Sequence, residues 1–267
     1  MVKISIGTAG FFYKDWIGTF YPKRLQKAQY LEYFSRYFNL VEINSTFYNL
    51  PSEDMVNNWN NRVSEKFRFI VKVWQQISHN LDDQDLNSHI YEFFSRLNQL
   101  KHKILGFLLQ FPPWFKYSES HLHKLNLLLK ILPPDYNYII ELRDNSWFDS
   151  SLLSKFIEGE NIIIGTTYMP GIIPYYMPNQ NKYYIRMIGD RKLTVFNRIQ
   201  RNQNDAINDL VKNVQNLIKN PNIYEIFIIV NNHFQGYGPE SVNIIKKNFG
   251  LSYRNFNDQK SLIDFFS

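Results

Sequence analysis

Eight short β-rich runs alternate with amphipathic helical patterns along this chain, and that alternation constrains the fold more than any other feature. The helical patterns cover residues 24–38, 52–62, 84–99, 118–131, 150–158, 204–219, 239–248 and 258–266. The β-rich runs cover residues 2–7, 41–44, 67–73, 105–111, 138–143, 161–167, 183–189 and 225–232. Strands that alternate with helices form a parallel sheet, and eight such units close into a barrel. The sequence therefore predicts an α/β fold, a single (β/α)8 TIM barrel with eight parallel strands.

The size and composition of the chain agree with this prediction. Its 267 residues match the usual length of one such barrel, and no linker divides them, so residues 1–267 are expected to form one domain. No apolar run approaches the roughly 18 residues that span a bilayer, and no leader pattern follows Met1. We expect a soluble, cytoplasmic protein without a membrane partner. The absence of cysteine excludes disulfides, thiolate metal sites and cysteine nucleophiles.

The connection between the sixth and seventh β-rich runs departs from the alternation. Residues 168–182 contain three prolines and a glycine, too many for a regular helix. This irregular connection is either a surface loop whose tyrosines pack on one another or a lid. As a lid, it would offer Tyr168, Tyr175 and Tyr176 as stacking faces for a ligand.

Most of the predicted strands become polar at their carboxyl ends, where barrels of this kind hold their active sites. A spacing of two residues places Glu42 with Asn44 on one face of a strand, and Glu141 with Arg143 on one face of another. The polar residues at these ends are Thr8, Glu42, Asn44, Lys72, Gln110, Glu141, Arg143, Thr166, Thr167, Arg186, Asn231 and Asn232, with Trp147 just beyond the fifth strand.

Five charged residues form a ring if that face lines the barrel interior: Glu42, Lys72, Glu141, Arg143 and Arg186. Three cations less two carboxylates give this ring a formal charge of +1. A buried, unpaired carboxylate would be protonated or expelled, so Glu42 is expected to contact one of the three cations. The ring is either a set of ion pairs that fix barrel closure or a ligand site. We favour the ligand site, because buried ion pairs stabilise less than apolar packing does.

Seven sequence blocks resemble, in order, the signature blocks of the domain-of-unknown-function family 72, the YecE-like proteins. The resemblance runs from about residue 4 to residue 247. It implies a TIM barrel, and it adds Tyr13 and Tyr48 to the characteristic positions named above. The blocks are "GTAGFFYKDWIGTFYP" (7–22), "FNLVEINSTFYNLPS" (38–52), "FRFIVKV" (67–73), "LGFLLQFPPWF" (105–115), "ELRDNSW" (141–147), "YYIRMIG" (183–189) and "IVNNHFQG" (229–236).

The chain departs from the pattern of similar sequences at two polar positions. Such sequences usually end the sixth strand with an aspartate, where this chain has "GTTY". They usually follow the seventh-strand arginine with a histidine, where this chain has Ile188. A mechanism that needs that aspartate or that histidine is therefore not expected here.

The sequence gives no pattern for a metal or a cofactor. The six histidines lie mostly in or beside predicted helices, so no metal site is expected. No glycine-rich phosphate loop and no "GxSxG" elbow follows a strand, and no cofactor is expected. A basic cluster follows the seventh strand, and it is either a solvated loop or an anion site: Arg191, Lys192, Arg198 and Arg201. The net charge of +6 also favours an anionic partner.

Two functions remain open at this point. The first is a metal-independent enzyme, of hydrolase or lyase type, that acts on an anionic or phosphorylated small molecule. Glu42 or Glu141 would be the general base, and the three cations of the ring would stabilise negative charge. The substrate would be bound by Thr8, Tyr13, Asn44, Tyr48, Gln110, Trp147, Asn231 and Asn232. The second function is a nucleic-acid or nucleotide binding module without turnover, which would hold a nucleic-acid backbone at the same basic mouth.

Overall fold

A computed structural model of the protein describes residues 2–148 and 161–256. The predicted helices at 150–158 and 258–266 lie outside the described residues. Within them the chain forms nine strands, which we number in order. They are β1 (Lys3–Ala9), β2 (Leu40–Ile43), β3 (Arg68–Lys72), β4 (Ile104–Gln110), β5 (Tyr138–Glu141), β6 (Ile162–Ile164), β7 (Thr166–Tyr168), β8 (Lys182–Met187) and β9 (Glu225–Val230).

All neighbouring strands pair in parallel, in the order β6-β5-β4-β3-β2-β1-β9-β8-β7. The predicted run 161–167 appears as two short strands, because β6 pairs with β5 whereas β7 pairs with β8. Gly165 separates the two, and its amide donates to the Ile140 carbonyl oxygen at 2.9 Å. The sheet is therefore a nearly closed barrel whose sixth strand changes partner halfway, and the predicted α/β barrel is confirmed.

Most of the described helices lie close to where the periodicity predicts them, but two four-residue helices, Gln75–Ser78 and Asn232–Gln235, were not predicted. The described helices are α1 (Tyr30–Ser35), α2 (Glu53–Asn61), α3 (Gln75–Ser78), α4 (Leu86–Leu97), α5 (Glu119–Ile131), α6 (Asn204–Leu217), α7 (Asn232–Gln235) and α8 (Gly238–Asn248). The Ser52 and Ser118 hydroxyls cap α2 and α5 by accepting from backbone amides at 3.2 and 3.1 Å. The helix predicted over 24–38 is shorter, a 3-10 turn at Lys27–Gln29 followed by α1.

The connection between β7 and β8 contains no helix, as predicted from its prolines. Two apolar cores flank the sheet. The inner one fills the barrel with Ala9, Leu40, Ile70, Leu108, Ile139, Ile163, Tyr184, Phe227 and Ile229. The outer one lies between the sheet and the surrounding helices. Within the described residues, no helix combines the length and the apolar character needed to cross a membrane.

Candidate functional site at the barrel mouth

The charged ring lies inside the barrel, above the inner apolar core. Glu42, Lys72 and Glu141 each stand two residues after a member of that core, so their side chains share its face. All three lie at the carboxyl ends of parallel strands, which places them at one mouth of the barrel. The exposed fraction is 0% for both glutamates and 8% for Lys72. The predicted ring is thus a buried cluster of charges on an apolar floor.

Arg186, from β8, connects the two glutamates. Its Nη2 donates to Glu42 Oε1 at 2.5 Å, and its Nη1 donates to Glu141 Oε2 at 3.0 Å. Arg143 Nε donates to Glu141 Oε1 at 2.6 Å. Asn44 Nδ2 also donates to Glu42 Oε1 at 2.9 Å. The expectation that Glu42 contacts a cation of the ring is confirmed, and the cation is Arg186.

The electrostatics of the ring keep Glu141 ionised. Burial raises the pKa of Glu141, but Arg143 and Arg186 outweigh that effect and lower it to about 2. Burial likewise lowers the pKa of Arg186, whereas Glu141 and Glu42 raise it well above its ordinary value. Both oxygens of Glu141 accept from arginine, so this carboxylate holds the guanidinium groups in place.

Lys72 lies in the same mouth with a different set of partners. Its Nζ donates to Gln110 Oε1 at 2.9 Å and lies 3.7 Å from the centroid of the Phe47 ring. Within residues 2–148 and 161–256, no carboxylate lies within ion-pair distance of this ammonium group. Burial and the nearby Arg186 lower the pKa of Lys72 to about 7. A neutral amine is therefore present in the site near neutral pH.

Three further predicted residues lie at the rim of the mouth. The Tyr13 hydroxyl donates to the Ala9 carbonyl oxygen at 2.6 Å, and burial together with Glu42 raises its pKa to about 12. Tyr48 leaves 65% of its surface exposed beside the ring. Asn231 uses its Oδ1 to accept from the His233 amide at 3.0 Å, which caps α7. Tyr48 thus remains accessible for ligand contacts at the rim, whereas the Tyr13 hydroxyl is engaged by the backbone.

Three other predicted residues do not join the ring. Thr8 pairs with Val41 and Val230, which face the outer core, and its hydroxyl donates to the Gly10 carbonyl oxygen at 2.6 Å. Trp147 is fully buried, and its Nε1 donates to the Phe115 carbonyl oxygen at 2.6 Å. These contacts assign both side chains to the scaffold.

Asn232 is also part of the scaffold, because its Oδ1 accepts from Trp16 Nε1 at 3.2 Å and from the Gly238 amide at 2.8 Å. These three side chains lie outside the ring for two reasons. A polar residue at a strand end reaches the barrel interior only at every second position, and Thr8 stands next to the inward-facing Ala9. Asn232 lies beyond β9, as the first residue of α7. Trp147 lies beyond its strand in a 3-10 turn, where strand parity no longer applies.

Sequence reasoning missed several residues around the ring. Tyr184 donates its hydroxyl to Glu42 Oε2, and its position two residues before Arg186 is the signal that predicts an inward side chain. Thr167 is among the predicted polar strand ends but has no predicted role in the site; it pairs with Arg186 in the sheet, and its buried Oγ1 has no partner among the described residues. His79 lies close enough to Lys72 and Arg143 that they add to the effect of burial in lowering its pKa.

The basic cluster after β8 divides into two parts. Arg201 pairs with Asp190, so it is not available to a ligand without breaking that pair. Arg191 has a left-handed backbone, φ 60°, and follows Gly189, φ 78°, where a Cβ would lie 2.3 Å from the His233 carbonyl oxygen. Burial, Arg143 and Arg186 lower the pKa of Arg191, which shows that this turn brings it close to the ring.

Tyr168, at the end of β7, and the tyrosines of the connection between β7 and β8 pack onto the barrel. The Tyr168 hydroxyl lies 2.8 Å from that of Tyr176 and donates to Asp209 Oδ2 at 2.7 Å. Asn145 fixes the loop by donating to the Gly171 carbonyl oxygen at 2.8 Å and accepting from the Ile173 amide at 3.0 Å. These contacts favour the packed loop over a lid. Across the described ranges, no three His, Asp or Glu side chains converge as a metal site would require.

The sequence matches one protein family and is similar to proteins from two bacteria. The family described as "Protein of unknown function DUF72" matches residues 5–263. The "UPF0759 protein YecE" of Escherichia coli strain K12 is 35% identical over 118 residues, which are 44% of this chain and 43% of that protein. The match therefore spans less than half of the E. coli protein. The "UPF0759 protein YunF" of Bacillus subtilis strain 168 is 26% identical over 204 residues, 71% of each chain.

Two solved structures share the fold. A DUF72 family protein from Thermotoga maritima has a TM-score of 0.76 at 22% identity, covering 92% of this chain and 99% of its own. A DUF72 family protein from Enterococcus faecalis V583 has a TM-score of 0.71 at 24% identity, covering 94% and 99%.

Proposed function

The chain belongs to the DUF72 family, and on that premise we propose that its barrel mouth binds a small anionic or phosphorylated molecule and converts it by metal-independent chemistry of hydrolase or lyase type. One observation carries the proposal. Arg143 Nε donates a hydrogen bond to Glu141, while the buried Nη2 of Arg143 has no partner among the described residues. A buried cationic donor without an acceptor is costly, and an anionic ligand would supply that acceptor.

The charges around Arg143 support an anion at this position. The two carboxylates of the ring are both held by Arg186, whereas Lys72 and Arg143 retain capacity for a further partner. Arg191 adds a third cation at the rim. A mouth that faces its ligand with these groups attracts negative charge and stabilises any that develops during a reaction.

Lys72 replaces the glutamates as the group proposed to move protons. A general base works best when its pKa lies near the operating pH. The pKa of Glu141 is about 2, and both its oxygens are engaged by arginine. The pKa of Lys72 is about 7, so its neutral form takes up a proton and its charged form returns one. The glutamates then act as positioning residues for the guanidinium groups.

Ligand-dependent thermal stability tests the anion site. We expect inorganic phosphate, sugar phosphates or nucleotides to raise the Tm of the wild-type protein, because a ligand that binds only the native state stabilises it by mass action. Arg143→Gln should remove this increase. Arg36→Gln, in an exposed pair with Glu32 on α1, should keep it and so corrects for the general effect of salts. Equal increases for both variants, or none for the wild type, would overturn the anion site.

Turnover tests the enzymatic part of the proposal. The anion that gives the largest increase in Tm should be consumed when it is incubated with the protein, as followed by proton or phosphorus NMR. Lys72→Met should bind the anion but leave it unchanged. An anion that binds at the mouth of the wild-type protein and is never converted would favour a binding module.

A nucleic-acid or nucleotide binding module is the second candidate, and exposed aromatic rings favour it. Trp114 and Tyr48 are 62% and 65% exposed beside the basic mouth, as stacking faces for bases would be. Binding of a short oligonucleotide should then weaken steeply with salt, whereas a small buried anion should be less affected. Arg198→Gln, on the exposed part of the basic cluster, should weaken oligonucleotide binding without changing the response to phosphate.

A further inference from the structure

Lys72 is held in the barrel mouth by a neutral amide and an aromatic ring. Its Nζ lies 2.9 Å from Gln110 Oε1, on the neighbouring strand β4, and 3.7 Å from the centroid of the Phe47 ring. The residue is 8% exposed. In the parts of the chain that the structure describes, the ring carboxylates are engaged by arginine and form no ion pair with Lys72. The Phe47 ring and the Gln110 oxygen stabilise the ammonium form in part, but no carboxylate pairs with it to offset the cost of burial.

The surroundings of Lys72 favour the neutral amine, which is the nucleophilic form. Burial comes first among the causes that lower its pKa to about 7, and Arg186 and Arg143 add to it. Glu141 and Glu42 oppose the shift without reversing it. An exposed lysine, by contrast, is neutral in fewer than about one molecule in a thousand at pH 7. Desolvation and neighbouring cations are the recognised means of activating a lysine for attack on a carbonyl carbon.

We propose that Lys72 forms an imine with an anionic aldehyde or ketone, whose anionic group binds Arg143. This inference rests on the anion site proposed above and specifies its substrate class. The Nζ lone pair attacks the carbonyl carbon, and the π electrons move to the oxygen, which takes up a proton. The carbinolamine then loses water as the C=N bond forms, so the amine gives up two protons and nothing is oxidised or reduced.

The geometry assigns roles to the neighbours of Lys72. Gln110 Oε1 accepts one N–H and orients the amine, so the lone pair points away from the amide. Arg143 Nη2 supplies the donor for a carboxylate or phosphate on the same molecule. A protonated imine withdraws electrons from the adjacent carbon, which favours bond cleavage or proton removal there. This is chemistry of the lyase type, one of the two reaction types proposed above.

Reductive trapping tests the inference with pyridoxal 5′-phosphate as the anionic aldehyde. The full chain is mixed with the probe, reduced with sodium borohydride and analysed by intact mass and peptide mapping. We expect the peptide that contains Lys72 to carry the label, preferred over other lysines by at least about tenfold near neutral pH. The labelling rate should rise with pH through a midpoint near 7, the pKa of Lys72. Label spread evenly over exposed lysines would overturn the inference.

Two variants separate this chemistry from a general effect of burial. Lys72→Met should lose the dominant label. Lys246→Met should keep it, because Lys246 is a second lysine whose pKa is lowered by burial but which lies on α8 against the Phe38 ring, 5.2 Å away. Peptide mapping of the wild-type protein locates the label even where a variant fails to fold. A dominant label on Lys246, or one retained in Lys72→Met, would overturn the inference.

The outcomes also separate this inference from the anion site. If the probe raises the Tm and Arg143→Gln removes the increase, yet no adduct is trapped on Lys72, the imine is wrong and the anion site stands. Pyridoxal, which lacks the phosphate, should label Lys72 more slowly. Equal labelling by both probes would count against the anion site while leaving the reactivity of Lys72 intact.

Discussion

At the scale of single residues, Arg186 explains why two buried carboxylates are tolerated inside this barrel. Its planar guanidinium donates to Glu42 through one nitrogen and to Glu141 through another, a geometry that a lysine ammonium does not reproduce. Buried ion pairs add little net stability, because desolvation offsets their attraction, but removal of one partner leaves an uncompensated charge. The network is therefore fragile to single substitutions even though it contributes little to stability.

Glu141→Gln tests this fragility. The substitution leaves Arg143 and Arg186 without a shared counter-ion, so we expect the free energy of unfolding at pH 7 to fall by about 3–5 kcal/mol. The pKa of Glu141 is lowered from 4.5 to about 2 on folding. Its contribution to stability is therefore present above about pH 4.5 and is lost as the pH falls towards 2. Urea denaturation at several pH values measures both effects.

The matched control for Glu141 is Glu225→Gln, which removes an exposed pair with Lys3 on the edge of the barrel. This change should cost less than about 1 kcal/mol, the usual range for exposed pairs. The Glu141→Gln variant should also lose the part of the acid dependence that the wild type shows between pH 4.5 and 2. A small loss of stability with an unchanged pH profile would show that Glu141 does not hold the arginines.

Much of the ring was predictable from the sequence, because strand parity and parallel pairing together decide which side chains meet. Glu42, Asn44, Glu141 and Arg143 follow the two-residue spacing, and Arg186 completes their network. The lowered pKa of Lys72, by contrast, was not predictable from the sequence. Its pKa depends on burial and on charges from three other strands, which the sequence does not place at known distances.

At the scale of elements, the break between β6 and β7 leaves the outer edge of β6 without a paired neighbouring strand among the described residues. The side chain of Gln180 replaces that neighbour. Its Oε1 accepts from the Ile164 amide at 2.6 Å, and its Nε2 donates to the Ile164 carbonyl oxygen at 3.3 Å. One side-chain amide thus satisfies both backbone groups of a buried strand residue, which would otherwise be unpaired.

Gln180→Ala should lower the free energy of unfolding by about 1–3 kcal/mol, because it leaves a buried N–H and C=O of Ile164 unsatisfied. Chemical denaturation measures the loss. Gln180→Glu should not restore it, since a carboxylate accepts from the amide but has no donor for the carbonyl. The exposed Gln99 provides the control, and Gln99→Ala should stay within about 0.5 kcal/mol of the wild type. Similar losses for Gln180→Ala and Gln99→Ala would argue against this role.

The elements themselves were largely predictable, and the exceptions have physical reasons. α2, α4, α5, α6 and α8 lie within about two residues of their predicted ranges, because each has a clear apolar period, and α2 and α5 also begin at a serine cap. The run 161–167 is predicted as one strand because β-branched isoleucine and threonine residues dominate it. Its division into β6 and β7 arises from a change of pairing partner, which local composition does not encode.

At the scale of the whole molecule, the barrel makes the described residues mutually dependent, because β1 pairs with β9 as well as with β2. We expect residues 1–267 to unfold as one domain, in a single calorimetric transition whose calorimetric and van't Hoff enthalpies agree. Two resolved transitions, or a calorimetric enthalpy well above the van't Hoff value, would indicate that the chain contains two independent units.

The contact between Glu42 and Arg186 joins residues 144 positions apart in the chain. Such a contact forms only after the intervening strands have paired. Closing a long loop costs entropy, and contacts between residues closer in sequence must first offset that cost. During folding, the charged groups of the mouth therefore remain hydrated until the strands that carry them assemble. This order spares the folding chain the burial of an isolated charge, and it makes the charged ring one of the last parts of the protein to form.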